Sequence, residues 1–192
     1  MYKKIQLMLP LLMVVIMLAA CGDKYEGDFS YKVNDFSFTN QDGKRISNSD
    51  LEGNFWVADF IFTNCETVCP PMTANMARLQ ENLKEAGLED VKLVSFSVDP
   101  DNDTKADLKE FGKAHGASFE NWHFLTGYEF KTIKELSIKS FHLPIEKVAD
   151  SDQFMHGTSF MLISPEGNAI NRYTGTQAEN MEKIVKDIKE MS

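Results

Sequence analysis

The sequence is poor in cysteine and in basic residues, and each shortage excludes a class of protein. Three cysteines in 192 residues are too few for a disulfide-stapled scaffold, so the core must be held together by apolar packing. The net charge of −9 argues against nucleic-acid binding, because phosphate recognition needs a clustered basic surface. A hydrophobic fraction of 43% and an aromatic fraction of 11% are still enough for one folded domain and exclude a disordered chain.

The sequence also lacks a long hydrophobic run at its start, where a membrane-spanning helix would need about 20 apolar residues. The apolar run Ile5–Ala20 follows Lys3 and Lys4 and falls short of that length. A basic start, a short apolar middle and small residues at the end are typical of a secretory signal peptide. The end of the run, Leu18-Ala19-Ala20-Cys21, resembles a bacterial lipobox, in which the cysteine is lipidated and becomes the new N-terminus.

These features divide the chain into three parts. Residues 1–20 are predicted to be a lipoprotein signal peptide, residues 21–30 a lipidated tether, and residues 31–192 one folded domain. The alternative is an uncleaved anchor helix with an incidental cysteine. Because several acyl chains anchor a domain firmly, lipidation at Cys21 predicts a bacterial protein held on the extracytoplasmic face of the cell membrane.

Apolar periodicity predicts alternating strands and helices in the domain. The nearly continuous apolar runs Trp56–Thr63 and Val91–Val98 are typical of strands buried on both faces. Further strands are predicted at Trp122–Leu125, Ser159–Ile163 and Ala169–Tyr173, and helices at Pro70–Ala86, after the N-cap Thr104, at Tyr128–Lys139 and at Gln177–Met191. This order predicts an α/β, thioredoxin-like fold with an inserted loop or hairpin, Phe141–Phe154, before the penultimate strand.

The chemistry of the sequence lies at Cys65 and Cys69, which follow a predicted buried strand and precede a helix. Pro70 disfavours helical backbone at Cys69, so Cys69 is expected at or near the helix start. The positive end of a helix dipole favours thiolate, which is both the metal ligand and the nucleophile. The alternatives are two buried core cysteines, or a static disulfide whose small loop would add little stability.

A third ligand would distinguish a metal site from a plain dithiol, and the four histidines are the candidates. His115 near a helix end, His123 on a short strand and His142 in the insertion all have ordinary structural explanations. His156 directly precedes the penultimate strand, which a thioredoxin-type sheet places beside the cysteine-bearing helix start. From the residues alone, a metal ligand and an ordinary loop histidine are equally good interpretations of His156.

Four segments in the predicted domain resemble the Sco/SenC family. Phe62–Pro70 (FTNCETVCP) resembles its Cys-x-x-x-Cys-Pro signature, and Val98–Thr104 (VDPDNDT) resembles its acidic segment after the second strand. Trp122–Gly127 (WHFLTG) and the segment around His156 match in kind and order. The resemblance covers the chain from about Ser30 onward.

The resemblance implies a copper protein that helps to assemble the binuclear CuA centre of cytochrome c oxidase. It implies that Cys65, Cys69 and His156 hold one copper ion per monomer, as Cu(I) or Cu(II), and that the oxidase subunit carrying CuA is the partner. Asp99 and Asp103 are expected to lie outside the ligand set. No nucleic-acid partner is expected.

Two other functions stay open at this stage. A thiol–disulfide oxidoreductase would use Cys65 and Cys69 as a redox-active pair on cysteines of partner proteins. Thioredoxin-type enzymes, however, carry Cys-x-x-Cys and a cis-proline before the penultimate strand, where this sequence has His156-Gly157. An enzyme is therefore less favoured than a copper chaperone, and a lipoprotein interaction module without thiol chemistry is the third possibility.

Overall fold

The computed structural model describes residues 25–192. The predicted signal peptide and the lipidation site Cys21 lie outside the described residues. The strands are β1 (Tyr31–Lys32), β2 (Ser37–Asn40), β3 (Arg45–Ser47), β4 (Trp56–Ile61), β5 (Lys92–Ser97), β6 (Trp122–Thr126), β7 (Glu146–Lys147), β8 (Phe154–Met155), β9 (Ser159–Ile163) and β10 (Asn168–Thr174). The helices are α1 (Asn48–Leu51), α2 (Cys69–Glu85), α3 (Lys105–Ala114), α4 (Phe130–Leu136) and α5 (Glu179–Met191), and a π-helical turn spans Ser137–Phe141.

Eight strands form one mixed sheet in the order β1-β10-β9-β4-β5-β6-β2-β3. The central strands β4, β5 and β6 are parallel, with Trp56 opposite Lys92 and Ile61 opposite Ser97. All six residues of β4 are buried, which explains its apolar sequence. Because β4, β5 and β6 run in the same direction, the loops that follow them meet at one end of the sheet.

This arrangement confirms the predicted α/β, thioredoxin-like fold. The helix predicted at Pro70–Ala86 runs from Cys69 to Glu85 and buries an apolar stripe of Met72, Met76, Leu79 and Leu83. The predicted N-cap Thr104 accepts a hydrogen bond from the backbone N–H of Asp107 at the start of α3. The insertion before the penultimate strand contains a two-stranded hairpin, in which β7 pairs with β8.

The structure adds elements that the apolar pattern did not predict. Strands β1, β2 and β3 extend the sheet at both edges, although each has two to four residues. The helix predicted at Tyr128–Lys139 is shorter, because α4 ends at Leu136 and the chain continues in the π-helical turn. That turn ends at His142, whose left-handed backbone (φ 54°) stops the helix. Within the described residues, no helix is long and apolar enough to cross a membrane.

Candidate metal centre

The two cysteines lie at the junction between β4 and α2. The backbone N–H of Cys65 donates to the carbonyl of Phe62 (3.3 Å), which turns the chain out of the strand. Cys69 is the first residue of α2, and Pro70 and Pro71 follow in its first turn. Prolines are tolerated there because the first N–H groups of a helix have no intrahelical partner. The N–H of Cys69 instead points at the Cys65 sulfur, with 3.4 Å between N and Sγ.

The hairpin brings His156 to the same place. His156 follows β8, and its Nε2 lies 3.4 Å from the Cys69 sulfur. Its Nδ1 lies 3.1 Å from the carbonyl oxygen of Gly157. A carbonyl can only accept, so Nδ1 donates to it, and Nε2 is left facing the two thiols. The Phe62 ring packs edge-on against the imidazole, with 5.8 Å between centroids.

Cys65, Cys69 and His156 form what we name the dithiol–histidine cluster. Their three ligand atoms all lie within 4.8 Å of one another. Both cysteines are buried, Cys69 completely, whereas His156 is half-buried. Two sulfurs and an imidazole nitrogen at such distances could bind one metal ion, and this donor set suits soft and borderline transition metals.

The electrostatics make the two thiols unequal. Burial opposes ionisation of Cys65, but hydrogen bonds from His156, from the Cys69 thiol and N–H, and from the N–H of Thr67 lower its pKa to about 5. Burial and the neighbouring Cys65 sulfur raise the pKa of Cys69 far above its usual range. The metal-free reduced protein therefore holds a thiolate at Cys65 and a thiol at Cys69. The helix start stabilises a thiolate, as the sequence predicts, but it does so through an N–H directed at Cys65.

The acidic segment Val98–Thr104 supports the loop between β4 and α2, residues 62–68, which we name the cysteine loop. The Asp103 carboxylate accepts hydrogen bonds from the Thr63 hydroxyl (2.6 Å), the Thr63 N–H (3.2 Å) and the Ser97 hydroxyl (2.5 Å). It thereby joins the end of β5 to the residue two positions before Cys65. Asp99 accepts from the side-chain amide of Asn102 at 2.9 Å. Neither aspartate belongs to the cluster.

The other histidines lie elsewhere. The Nδ1 atom of His115 is 2.8 Å from the Phe111 carbonyl oxygen, and that of His123 is 3.4 Å from the Asn40 side-chain amide. The ring of His142 packs on Tyr31, with 4.0 Å between centroids. None of the three is in the dithiol–histidine cluster.

Two contacts that the sequence did not predict fasten the hairpin to the cysteine loop. The Asn64 side-chain amide donates to the Asp152 carboxylate (2.7 Å), and the Gln153 side-chain amide donates to the Asn64 carbonyl (3.2 Å). Phe154 also packs edge-on against Phe62. These polar residues carry no recognisable pattern in the sequence, because they are 88 and 89 positions apart along the chain.

Asp59, a buried carboxylate near the cluster, was also not identified from the sequence. Asp59 lies in the middle of β4 and is fully buried, and neither of its oxygens accepts a hydrogen bond of ordinary geometry from the described residues. Burial raises its pKa to about 7, against smaller opposing effects of the Ser95 hydroxyl and of His156. A single acidic residue inside the run WVADFIFT was the signal that could have identified it.

A thioredoxin-like fold that carries a Cys-x-x-x-Cys pair and a histidine at one end of its sheet defines a class of dithiol proteins suited to metal binding. The family model described as SCO1/SenC matches residues 26–192. The chain therefore belongs to the SCO1/SenC family.

Individual relatives are similar to this protein over most of its chain. The SCO1 protein homolog of Bacillus subtilis (strain 168) is 45% identical over 181 residues, which is 94% of this chain and 93% of that protein. A SCO1/SenC family lipoprotein from Bacillus anthracis str. Ames has a solved structure that superposes with a TM-score of 0.80 at 46% identity, covering 84% of this chain and 95% of that one.

Two further solved structures are of proteins described by their thiol chemistry or by bound copper. BsSco, a member of the Sco family of cytochrome c oxidase assembly proteins in which a disulfide switch was identified, gives a TM-score of 0.79 at 44% identity and covers 88% of this chain and 98% of that one. Arabidopsis thaliana ScoI, solved with copper bound, gives a TM-score of 0.70 at 28% identity and covers 82% and 98%.

Proposed function

We propose that this protein is a copper metallochaperone, tethered to the extracytoplasmic face of a bacterial membrane, that assists assembly of the CuA centre of cytochrome c oxidase. The observation that carries the proposal is the dithiol–histidine cluster, with three ligand atoms within 4.8 Å of one another. The expected cargo is one copper ion per monomer, held by Cys65, Cys69 and His156.

The donor set fits copper in both oxidation states. Thiolates are soft ligands that select Cu(I), and an imidazole beside them also suits Cu(II). The Nε2 atom of His156 already lies 3.4 Å from the Cys69 sulfur, so binding needs only the loss of the protons that the ligand atoms carry and a small approach of the ligands.

The proposed destination of the copper rests on the relatives. BsSco belongs to a family of cytochrome c oxidase assembly proteins, and the Arabidopsis protein binds copper. We extend both properties to this chain and take the oxidase subunit that carries CuA as its partner.

The membrane tether rests on the lipobox Leu18–Cys21, and the similar protein of B. anthracis is a lipoprotein. Cys21→Ala should release the domain from the membrane or leave it unprocessed, because the anchor is covalent lipid. Cell fractionation and the mass of the N-terminal peptide measure this. A variant that is still cleaved after Ala20 and stays membrane-bound would show that Cys21 is not the anchor.

Copper binding tests the metal site directly. The reduced protein should bind one copper ion per monomer, and oxidation of Cys65 and Cys69 to a disulfide should abolish binding because the thiolates are then absent. Undiminished binding by the oxidised protein would contradict a two-thiolate site.

The histidine ligand is tested separately. His156→Ala should weaken Cu(I) binding without abolishing it, since two thiolates still hold Cu(I), and should shift or bleach the thiolate-to-Cu(II) absorption band. His115→Ala is the matched control, because His115 contacts the Phe111 carbonyl of its own helix and is not in the dithiol–histidine cluster. An unchanged Cu(II) spectrum in His156→Ala would remove the imidazole from the ligand set.

Deletion of the gene tests the cellular role. Cytochrome c oxidase activity should fall in the deletion strain and recover, at least in part, when copper is added to the medium. Unchanged oxidase activity in copper-poor medium would count against a role in CuA assembly.

A thiol–disulfide oxidoreductase is the second candidate, and the unequal thiols favour it. A thiolate at Cys65 next to a protonated Cys69 is the arrangement that attacks a partner disulfide. This candidate predicts that Cys65→Ser abolishes reduction of a model disulfide while His156→Ala leaves every copper spectrum unchanged. The copper chaperone predicts the opposite for His156→Ala.

A further inference from the structure

The residues just before the first strand are attached to the edge of the sheet. The N–H of Asp28 donates to the Asn171 side chain (2.8 Å), and the N–H of Phe29 donates to the carbonyl of Ile170 (3.2 Å). Strand β1 continues the attachment, with Tyr31 opposite Ala169. We name residues 25–32 the docked strap, because this part of the predicted tether is bound to β10.

The docked strap begins at the end of the sheet opposite the dithiol–histidine cluster. The Tyr25 ring packs edge-on against Phe55, with 5.0 Å between centroids. Phe55 directly precedes β4, whereas Cys65 follows the other end of that strand. Six strand residues at about 3.3 Å each separate the two ends by about 20 Å.

The distance from the strap to the proposed lipid is short. Three residues lie between Cys21 and Tyr25, and the four Cα-to-Cα steps that join them span at most about 14 Å. If Cys21 carries the lipid, the Phe55 end of the sheet must therefore lie close to the bilayer surface. The covalent link to the lipid does not hold the dithiol–histidine cluster near that surface.

The charge of the protein opposes a domain that lies flat on the membrane. The net charge is −9, and an anionic bilayer repels acidic surface that comes within a Debye length of about 8–10 Å. An upright domain exposes only its Phe55 end to that repulsion.

We infer that the docked strap sets the direction in which the domain stands, with the dithiol–histidine cluster facing away from the bilayer. This inference rests on the lipid anchor of the proposed function. It defines the kind of partner that the site fits: an acceptor carried on an extramembrane protein domain, about 20 Å or more from the bilayer surface, rather than a ligand set at the level of the lipid headgroups.

The test uses the lipidated full chain added to vesicles of phosphatidylcholine and phosphatidylglycerol. A fluorescent amino acid replaces either Glu89, which is exposed just before β5, or Asp101, which is exposed beyond the other end of β5. A headgroup-linked quencher should cause a severalfold larger loss of emission at position 89 than at position 101. Equal losses, or a larger loss at position 101, on vesicle-bound protein would overturn the inference and leave the anchor intact.

Gly27 provides a variant of the strap itself. A Cβ atom at this position would overlap the Ile170 carbonyl oxygen, so Gly27→Val must displace the strap from β10. This variant should stay on the vesicles and bind one copper ion, but the difference between the two labels should shrink. Ser30→Val, at an exposed position of the same segment, should keep the full difference.

The outcomes separate the two proposals. Protein that does not stay on the vesicles refutes the lipid anchor and the orientation together. A Gly27→Val protein that is retained, binds copper and keeps the full difference between the labels refutes the role of the strap alone.

Discussion

The buried carboxylate of Asp59 should make the stability of this protein fall as the pH rises towards neutrality. Asp59 is enclosed in the central strand β4, and burial raises its pKa from 3.8 to about 7. In the unfolded chain, the same carboxyl group loses its proton near pH 4. Between these two values the folded state binds more protons than the unfolded state, so the free energy of unfolding decreases as the pH rises through this window.

The size of the effect follows from the difference in pKa. A shift of about 3 pKa units, at about 1.4 kcal/mol per unit, amounts to a loss of up to about 4 kcal/mol between pH 4 and pH 8. A small domain has a total stability of only about 5–15 kcal/mol, so this loss is large enough to measure.

Asp59→Asn removes the charge while keeping the shape of the side chain. For the reduced, metal-free protein, the variant should match the wild type near pH 4.5 and become several kcal/mol more stable at pH 8, by denaturant unfolding at each pH. Asp101→Asn removes an exposed carboxylate and serves as the control, with a change within about 0.5 kcal/mol at both pH values. A difference between Asp59→Asn and wild type that does not vary with pH would refute the reasoning.

The remaining predictions concern the cysteine loop. Asp103→Asn removes the charged acceptor of the Thr63 and Ser97 hydrogen bonds, so it should lower the free energy of unfolding by about 1–3 kcal/mol and weaken copper binding. Asp101→Asn, the same change at an exposed carboxylate of the same segment, should cost less. Denaturation and competition with a copper chelator measure the two effects. Binding of Cu(I) at pH 7 should release about one proton from the two thiols, because Cys65 is already a thiolate and Cys69 must lose its proton. Calorimetry in buffers of different ionisation enthalpy counts all protons released, and an NMR titration of the His156 ring gives the share of the imidazole. Release of two thiol protons would contradict the thiolate at Cys65.

The part of the fold that the sequence predicts best is the part buried on both faces. Strand β4 and strand β5 have continuous apolar sequences because helices or loops cover both sides of the central sheet, and their predicted bounds agree with the structure within two residues. Strand β2 alternates exposed and buried residues over only four positions, and β3 over three. Such short segments contain too few periods to be recognised without the neighbouring strands that pair with them.

In the candidate site, too, the sequence predicts the features that depend on local signals and not those that depend on tertiary contacts. The position of Cys69 at the start of α2 follows from a local signal, Pro70, which the sequence shows directly. The position of His156 depends on a hairpin held by contacts between residues almost 90 positions apart, and only the family resemblance favoured it over an ordinary loop histidine. The unequal pKa values of Cys65 and Cys69 depend on burial and on contacts with His156, with each other and with backbone N–H groups, none of which a sequence specifies.

The three proposed copper ligands belong to three separately supported segments, and under the proposed function this has a consequence for copper release. Cys69 is fixed in a helix, and Cys65 is held through Thr63 by the buried carboxylate of Asp103. His156 is carried by a hairpin whose polar contacts to the cysteine loop include the exposed pair Asn64–Asp152. Exposed hydrogen bonds contribute only about 0.5–1.5 kcal/mol each, so the imidazole is the ligand that the fold can withdraw at the lowest free-energy cost. Under the proposed function, withdrawal of His156 would leave two thiolates, a set that would still hold Cu(I) and would leave a coordination position open to an acceptor's own ligands.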